Sequence, residues 1–165
     1  MQEIATAAGV GRTTIHRYFP GREDLIRAIA MDAVAESEVA MESARLEEGS
    51  VAEAVGRLAE ALVPMGHRFH FLLGEAQLGQ DPEFLAAEER TAAPIEDLVE
   101  RGQRDGTFRV GVPRAWIVDA MAALVYAAWE GVHAGRIAAN DAPGLVTSTL
   151  LSGLGPVTTG GKESA

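Results

Sequence analysis

The sequence predicts an all-α chain, with an N-terminal helix-turn-helix joined to a helical body. Three observations carry that expectation. Apolar residues make up 47% of the chain and aromatic residues only 5%, a bias toward Ala, Leu and Val that favours helices over strands. Apolar positions recur at three- and four-residue spacing between clear start and stop signals. Near the N-terminus, "AAGVGRTTIHRYFPGRED" places Arg12, Arg17 and Arg22 with no carboxylate between them, in a chain of net charge −10.

Taken in order, residues 2–8 read as a short helix broken at Gly9. Residues 12–18 read as a second, stopped by Phe19-Pro20-Gly21. A long helix follows from Arg22 to about residue 46, with Leu25, Ile29 or Ala28, Asp32 and Ala35 at helical spacing. Gly49-Ser50 ends it, and Ser50 with Glu53 three residues later is a capping-box signature. Residues 51–63 then put Val51, Val55, Leu58 and Leu62 on one face. Pro64 suits the first turn of a helix over residues 65–78.

Asp81-Pro82-Glu83 combines an N-cap, Pro at the first helical position and an acid in the first turn. That helix is expected to reach about residue 103, with Pro94 kinking or dividing it. Pro113 opens a long apolar helix to about residue 136, and Asp141-Ala142-Pro143 opens the last, ending near residue 154. The organisation is therefore a helix-turn-helix region over residues 1–24, a helical ligand-binding and dimerisation domain over 25–154, and a Gly/Thr/Ser-rich tail over 155–165, expected to be disordered.

The absence of cysteine excludes disulfides, thiolate metal sites and a cysteine nucleophile. No apolar leader follows Met1. The longest apolar run, from Ala120 to Trp129, is too short to cross a bilayer and lies between Asp119 and Glu130. A cytoplasmic protein with no membrane partner is expected. Residues 1–30 carry four arginines against Glu3, Glu23 and Asp24, a balance of +1, whereas the remainder carries −11. An acidic body repels a polyanion, so nucleic-acid contact must be confined to the N-terminal patch.

Within that patch, Ala5, Gly9 and Ile15 have helix-turn-helix spacing. Ala5 is small where two helices cross, Gly9 supplies a positive φ, and Ile4, Val10 and Ile15 can fill the space between the helices. The second helix then offers Gly11, Arg12, Thr13 and Thr14 to the major groove, with His16 and Arg17 one turn on. Arg can bind the O6/N7 edge of guanine bidentately, and Thr can contact a base or the thymine methyl. Tyr18 and Arg22 are placed to clamp phosphates.

The stretch "IATAAGVGRTTIHRYFPGREDL" closely resembles the helix-turn-helix signature of the TetR family of bacterial repressors, through Ile4, Ala5, Ala8, Gly9, Val10, Thr14, Tyr18, Phe19, Gly21 and Leu25. "GTFR", Gly106 to Arg109, is also familiar in such proteins. Gly11 stands where the family usually has a capping Ser, His16 where it has a phosphate-binding Tyr, and Arg22 for Lys. The family also has a complete helix before this motif. The DNA-binding domain is thus expected to be an incomplete three-helix unit, leaving Ile4, Ile15 and Phe19 less buried.

The resemblance implies a ligand-responsive transcriptional regulator, most often a repressor. Such a protein binds palindromic double-stranded operator DNA as a homodimer and is released by a small-molecule effector in the body. Residue type marks Met65, Phe69, Leu72, Trp116, Met121, Tyr126 and Trp129 as pocket candidates; the plainer reading of each is ordinary core. Ala120, Ala123, Ala127 and Gly131 make a smooth stripe, and Val146, Leu150 and Leu154 an apolar one. These fit a four-helix dimer interface, or else burial within one protomer.

His67 and His70 with Glu75, and Glu130 with His133, fall short of a metal set, and Arg68 opposes one, so no metal is expected. No Gly-rich phosphate loop or nucleophile elbow appears, so neither an enzyme nor a cofactor is expected. The competing reading from another class is a helical dimerisation or ligand-binding module that does not bind DNA, left by loss of the first helix.

Overall fold

The computed structural model describes residues 1–66, 72 and 75–156, and every regular element among them is helical. The helices are α1 (Gln2–Ala7), α2 (Arg12–Tyr18), α3 (Arg22–Ala44), α4 (Val51–Leu62), α5 (Pro82–Asp105), α6 (Arg114–His133) and α7 (Ala142–Leu154). Short 3-10 segments occupy Val63–Met65 and Ala76–Gln80. The expected helix over residues 65–78 therefore does not reach its predicted end. Glu75 leaves helical geometry at φ −93, ψ 83, and the chain re-enters only as a 3-10 turn.

Start signals act as the sequence implies. The Ser50 hydroxyl accepts from the Glu53 backbone N–H at 3.3 Å, and the Glu53 carboxylate accepts from the Ser50 N–H at 2.9 Å. Asp81 accepts from the backbone N–H groups of Glu83 and Phe84 at 2.9 and 3.1 Å. Gly9 adopts φ +68 and turns the chain from α1 to α2. Pro94, however, does not divide α5, which runs unbroken from Pro82 to Asp105. It lies on an exposed turn, where a missing hydrogen bond is cheapest.

The body core joins α3, α4, α5, α6 and α7 around Val51, Val55, Leu58, Val99, Phe108 and Ile117. On α3 the buried stripe is Ile26, Ala30, Ala33, Met41 and Ala44, rotated by about one residue from the expected Leu25, Ile29, Asp32 and Ala35. Asp32 and Ala35 are exposed. Ala30 and Ala33 turn inward because α3 leans on two neighbours at once, α4 and α5.

"GTFR" is a structural plug. Phe108 is 1% exposed and lies against Gly102, where a Cβ would stand 2.4 Å from its ring. Arg109 then ties down the end of α7, its backbone N–H donating to Leu154 O at 2.9 Å and its guanidinium to Gly153 O at 2.6 Å.

Helix α6 is long and apolar enough to cross a membrane by length and composition alone. Ile117, Met121, Val125, Ala128 and Gly131 nonetheless pack inward, and Asp119 and Glu130 punctuate its outer side. Its inner face is that of a core helix.

Candidate functional site

Two candidate sites lie along α3, one at its N-terminal end and one against its middle. At the N-terminal end, α2 is entered through Gly11, an extended N-cap residue whose missing side chain leaves the first amides uncapped. Arg12, Thr13, Thr14, Arg17 and Tyr18 are all exposed, and Ala5 and Ile15 form the buried contact beneath them. Ile4 and Val10, expected between the helices, are instead 40% and 41% exposed. They lie on a face of the α1–α2 unit that no described element covers.

His16 is engaged within its own helix. Arg12 Nε donates to His16 Nε2 at 3.4 Å, and Nδ1 lies 3.3 Å from Pro20 O. That geometry assigns the proton of the neutral ring to Nδ1. Arg17 donates to the Tyr18 hydroxyl at 3.1 Å, and its guanidinium sits 5.0 Å from the ring centroid. The two side chains therefore form one stacked, cationic unit. Arg22 pairs bidentately with Glu75, Nη2 to Oε1 at 2.8 Å and Nη1 to Oε2 at 3.3 Å.

Further along α3 lies a cavity of about 520 Å³, within the range of small-molecule sites. Its walls come from α3, α4, α5, α6 and the segment around Leu72, Leu78 and Gly79. Of the residues marked from sequence, Leu72, Met121, Tyr126 and Trp129 line it, whereas Met65 and Trp116 do not. Trp116 points outward at 63% exposure, since its position on α6 falls opposite Ile117 and Met121. Phe69, with His67 and His70, lies outside the described residues.

Trp129 is fixed in the wall. Its indole N–H donates to Leu62 O at 3.1 Å, and its ring packs where a Cβ on Gly66 would lie only 2.0 Å away. Tyr126 stacks at a tilt beside it, with ring centroids 5.2 Å apart.

The described lining is apolar apart from Ser37, Thr91, the Tyr126 hydroxyl and one ionisable carboxylate, Glu88 on α5; no described lining residue is basic. Much of Glu88 is exposed, and the partial burial of its carboxyl pushes it up from its ordinary range. Burial, followed by the charge of Glu88, pushes the Tyr126 hydroxyl up too. A carboxylate with raised pKa and no described cation lining the same space favours a positively charged guest. Sequence reasoning missed Glu88 because it sits among other acids, Glu83 and Glu89, on a helix rich in charge.

The interface residues separate by helix. Ala123 and Ala127 on α6 are exposed and Ala120 half-buried. Gly131 is buried against Ile137. Val146 and Leu150 are buried within the protomer at 4% and 3% exposure, and Leu154 packs against the same core. The stripe on α7 is thus turned toward α4 and α6, and the face left outward carries Leu145, Ser148, Thr149 and Ser152.

Comparison with known proteins agrees with this arrangement. The profile of the bacterial regulatory proteins of the tetR family matches residues 1–29. The transcriptional repressor LfrR of Mycolicibacterium smegmatis is 35% identical over 152 residues, spanning 92% of this chain and 78% of LfrR. The transcriptional regulator NfxB of Pseudomonas aeruginosa is 24% identical over 159 residues, covering 93% of this chain and 83% of NfxB. The crystal structure of LfrR from Mycobacterium smegmatis in complex with proflavine superposes with a TM-score of 0.77 at 30% identity, covering 94% of this chain and 85% of that one. PfmR from Thermus thermophilus, a TetR family regulator, shares the fold with a TM-score of 0.75 at 22% identity, covering 94% of this chain and 88% of PfmR. The chain belongs to the TetR family and is a transcriptional regulator.

Proposed function

We propose that this regulator is a repressor that binds palindromic operator DNA as a homodimer and is released when a flat aromatic cation enters its cavity. The observation that carries this reading is the cavity itself, about 520 Å³ of largely apolar wall with Glu88 as its one charged residue among the described lining. LfrR has been crystallised with proflavine, a planar aromatic molecule that is cationic at neutral pH. Tyr126 and Trp129 offer ring faces to such a guest, and Glu88 its counter-charge.

On the DNA side, Gly11, Arg12, Thr13 and Thr14 are placed to meet base edges, and Arg17, Tyr18 and Arg22 to meet phosphates. His16 serves by orienting Arg12. A dimer would pair α6 across a two-fold axis through Ala120, Ala123 and Ala127, with Trp116 and Leu145 beside them. It must hold its two recognition helices about 34–36 Å apart, so a guest that rotates α3 within each protomer breaks the match to both half-sites. The setting is the cytoplasm, where the DNA lies.

The test is fluorescence anisotropy with duplex DNA from the region upstream of the protein's own coding sequence, with unrelated duplex as competitor. Selective, salt-sensitive binding is expected, and Arg12→Ala should lose about 1–3 kcal/mol of discrimination at the base it reads. Equal affinity for upstream and unrelated DNA would overturn the repressor reading.

A further inference from the structure

Arg22, proposed above to meet a phosphate, stands at the start of α3, yet its Nη1/Nη2 edge is already occupied by a carboxylate from the same chain. Both Nη groups face both oxygens of Glu75, 53 residues away in sequence. The two partners are unequally held. The Glu75 side chain is 15% exposed and that of Arg22 63%, so Glu75 is the fixed member and Arg22 the one free to swing toward solvent.

Glu75 is fixed because its backbone is tied on both sides. Its N–H donates to Leu72 O and its carbonyl accepts from Leu78 N–H, each at 3.1 Å. Leu78 is in turn buried against Ile26 and Ala30 of α3. Leu72, Leu78 and the adjoining Gly79 are also wall residues of the cavity. One short segment therefore presents its apolar side to the ligand space and its carboxylate to the DNA-contact arginine. A second arginine on α3, Arg27, pairs with Asp81 and Glu83 just beyond this segment, and so clamps the same junction.

Bidentate arginine binds carboxylate and phosphate with the same two-pronged geometry. The Nη1/Nη2 edge that Glu75 occupies cannot hold both at once.

We propose that Glu75 is an internal competitor for operator DNA: it occupies Arg22 while the cavity wall at Leu72, Leu78 and Gly79 is seated, and DNA binding requires this pair to open. A guest pressing on that wall keeps Glu75 in place and withholds one phosphate contact per protomer. The inference goes beyond the repressor reading but rests on it, since it needs Arg22 to meet a phosphate.

Glu75→Gln, Arg22→Gln, the double variant and Glu23→Gln test it, with upstream and random-sequence duplexes over a range of salt. Glu23 is a neighbouring carboxylate that forms no hydrogen bond with Arg22, and so controls for simple removal of negative charge. Glu75→Gln should bind DNA several-fold more tightly, with a salt dependence steeper by about 0.9 per protomer in log K against log salt. The gain should vanish in the Arg22→Gln background, and Glu75→Asp, which keeps the charge but shortens the reach, should gain less. Unchanged affinity in Glu75→Gln, an equal gain in Glu23→Gln, or a gain that survives Arg22→Gln would each overturn the competitor role while leaving the repressor reading intact. Failure of wild type and Glu75→Gln alike to bind any duplex would overturn both.

Discussion

The α1–α2 unit and the helical body are built on different terms. In α1 and α2 only Ala5 and Ile15 are buried, and Ile4, Val10 and Tyr18 stand exposed. Helix α4 alone buries Val51, Ala54, Val55, Leu58 and Ala59, within a core shared by five helices. Burial supplies stability roughly in proportion to apolar area, so the body carries the fold and the recognition unit rides on α3. Regions with few buried contacts open locally at low cost. A unit that must adjust to a duplex belongs at that end of the scale, and one that must hold a ligand space open belongs at the other.

The largest expected effect breaks the strong region. Phe108→Ala removes the plug between α5 and α7 and should cost about 3–5 kcal/mol in chemical denaturation, taking DNA binding with it. Ile15→Ala should sharpen the contrast in the opposite sense. DNA affinity is expected to fall by roughly tenfold or more, ~1.4 kcal/mol, while the denaturation midpoint of the body stays near wild type. Equal loss of both properties would mean that the two regions unfold as one.

Ser50→Ala removes the α4 cap and should lower stability by about 1 kcal/mol, with DNA affinity unchanged. The smallest effect concerns pH. Asp81 is held below the ordinary carboxylate range, first by the Phe84 backbone N–H and then by Arg27. Its contribution is therefore present above the unfolded pKa and is lost as pH falls through the depressed folded value. Glu88 is shifted the opposite way by burial, so its ionisation weakens the empty protein as pH rises. Affinity for a cationic guest should then rise with pH through the Glu88 titration and become flat in Glu88→Gln, as followed by Trp129 fluorescence.

The recognition unit is legible in the sequence because its constraints are local. Gly9 must turn the chain, Ala5 must be small, and the arginines stand out against an acidic chain. Caps at Ser50 and Asp81 are legible for the same reason. The cavity is legible only in part, because Leu72, Met121, Tyr126 and Trp129 reveal their type but not their direction. Trp116 shares that type and points away.

Which residues of α7 face outward depends on its rotation against α4, and no local pattern sets it. The stripe of α3 lies one residue from its expected place for a related reason. A helix touching two neighbours hides a face between them, and Ala30 or Ala33 gives little hydrophobic signal of its own. In sequence Glu75 stands near two histidines, whereas its partner is Arg22, 53 residues away.

The most direct test of the account titrates proflavine into a preformed complex of the protein with its upstream duplex, following release of the DNA for wild type and Glu88→Gln. Intercalation of proflavine into the duplex would release both proteins alike, so the difference between them is the readout. Wild type is expected to let go at clearly lower proflavine than Glu88→Gln, with Trp129 quenched over the same range. Release at the same concentration for both proteins, or Trp129 quenching with the DNA still bound, would contradict it.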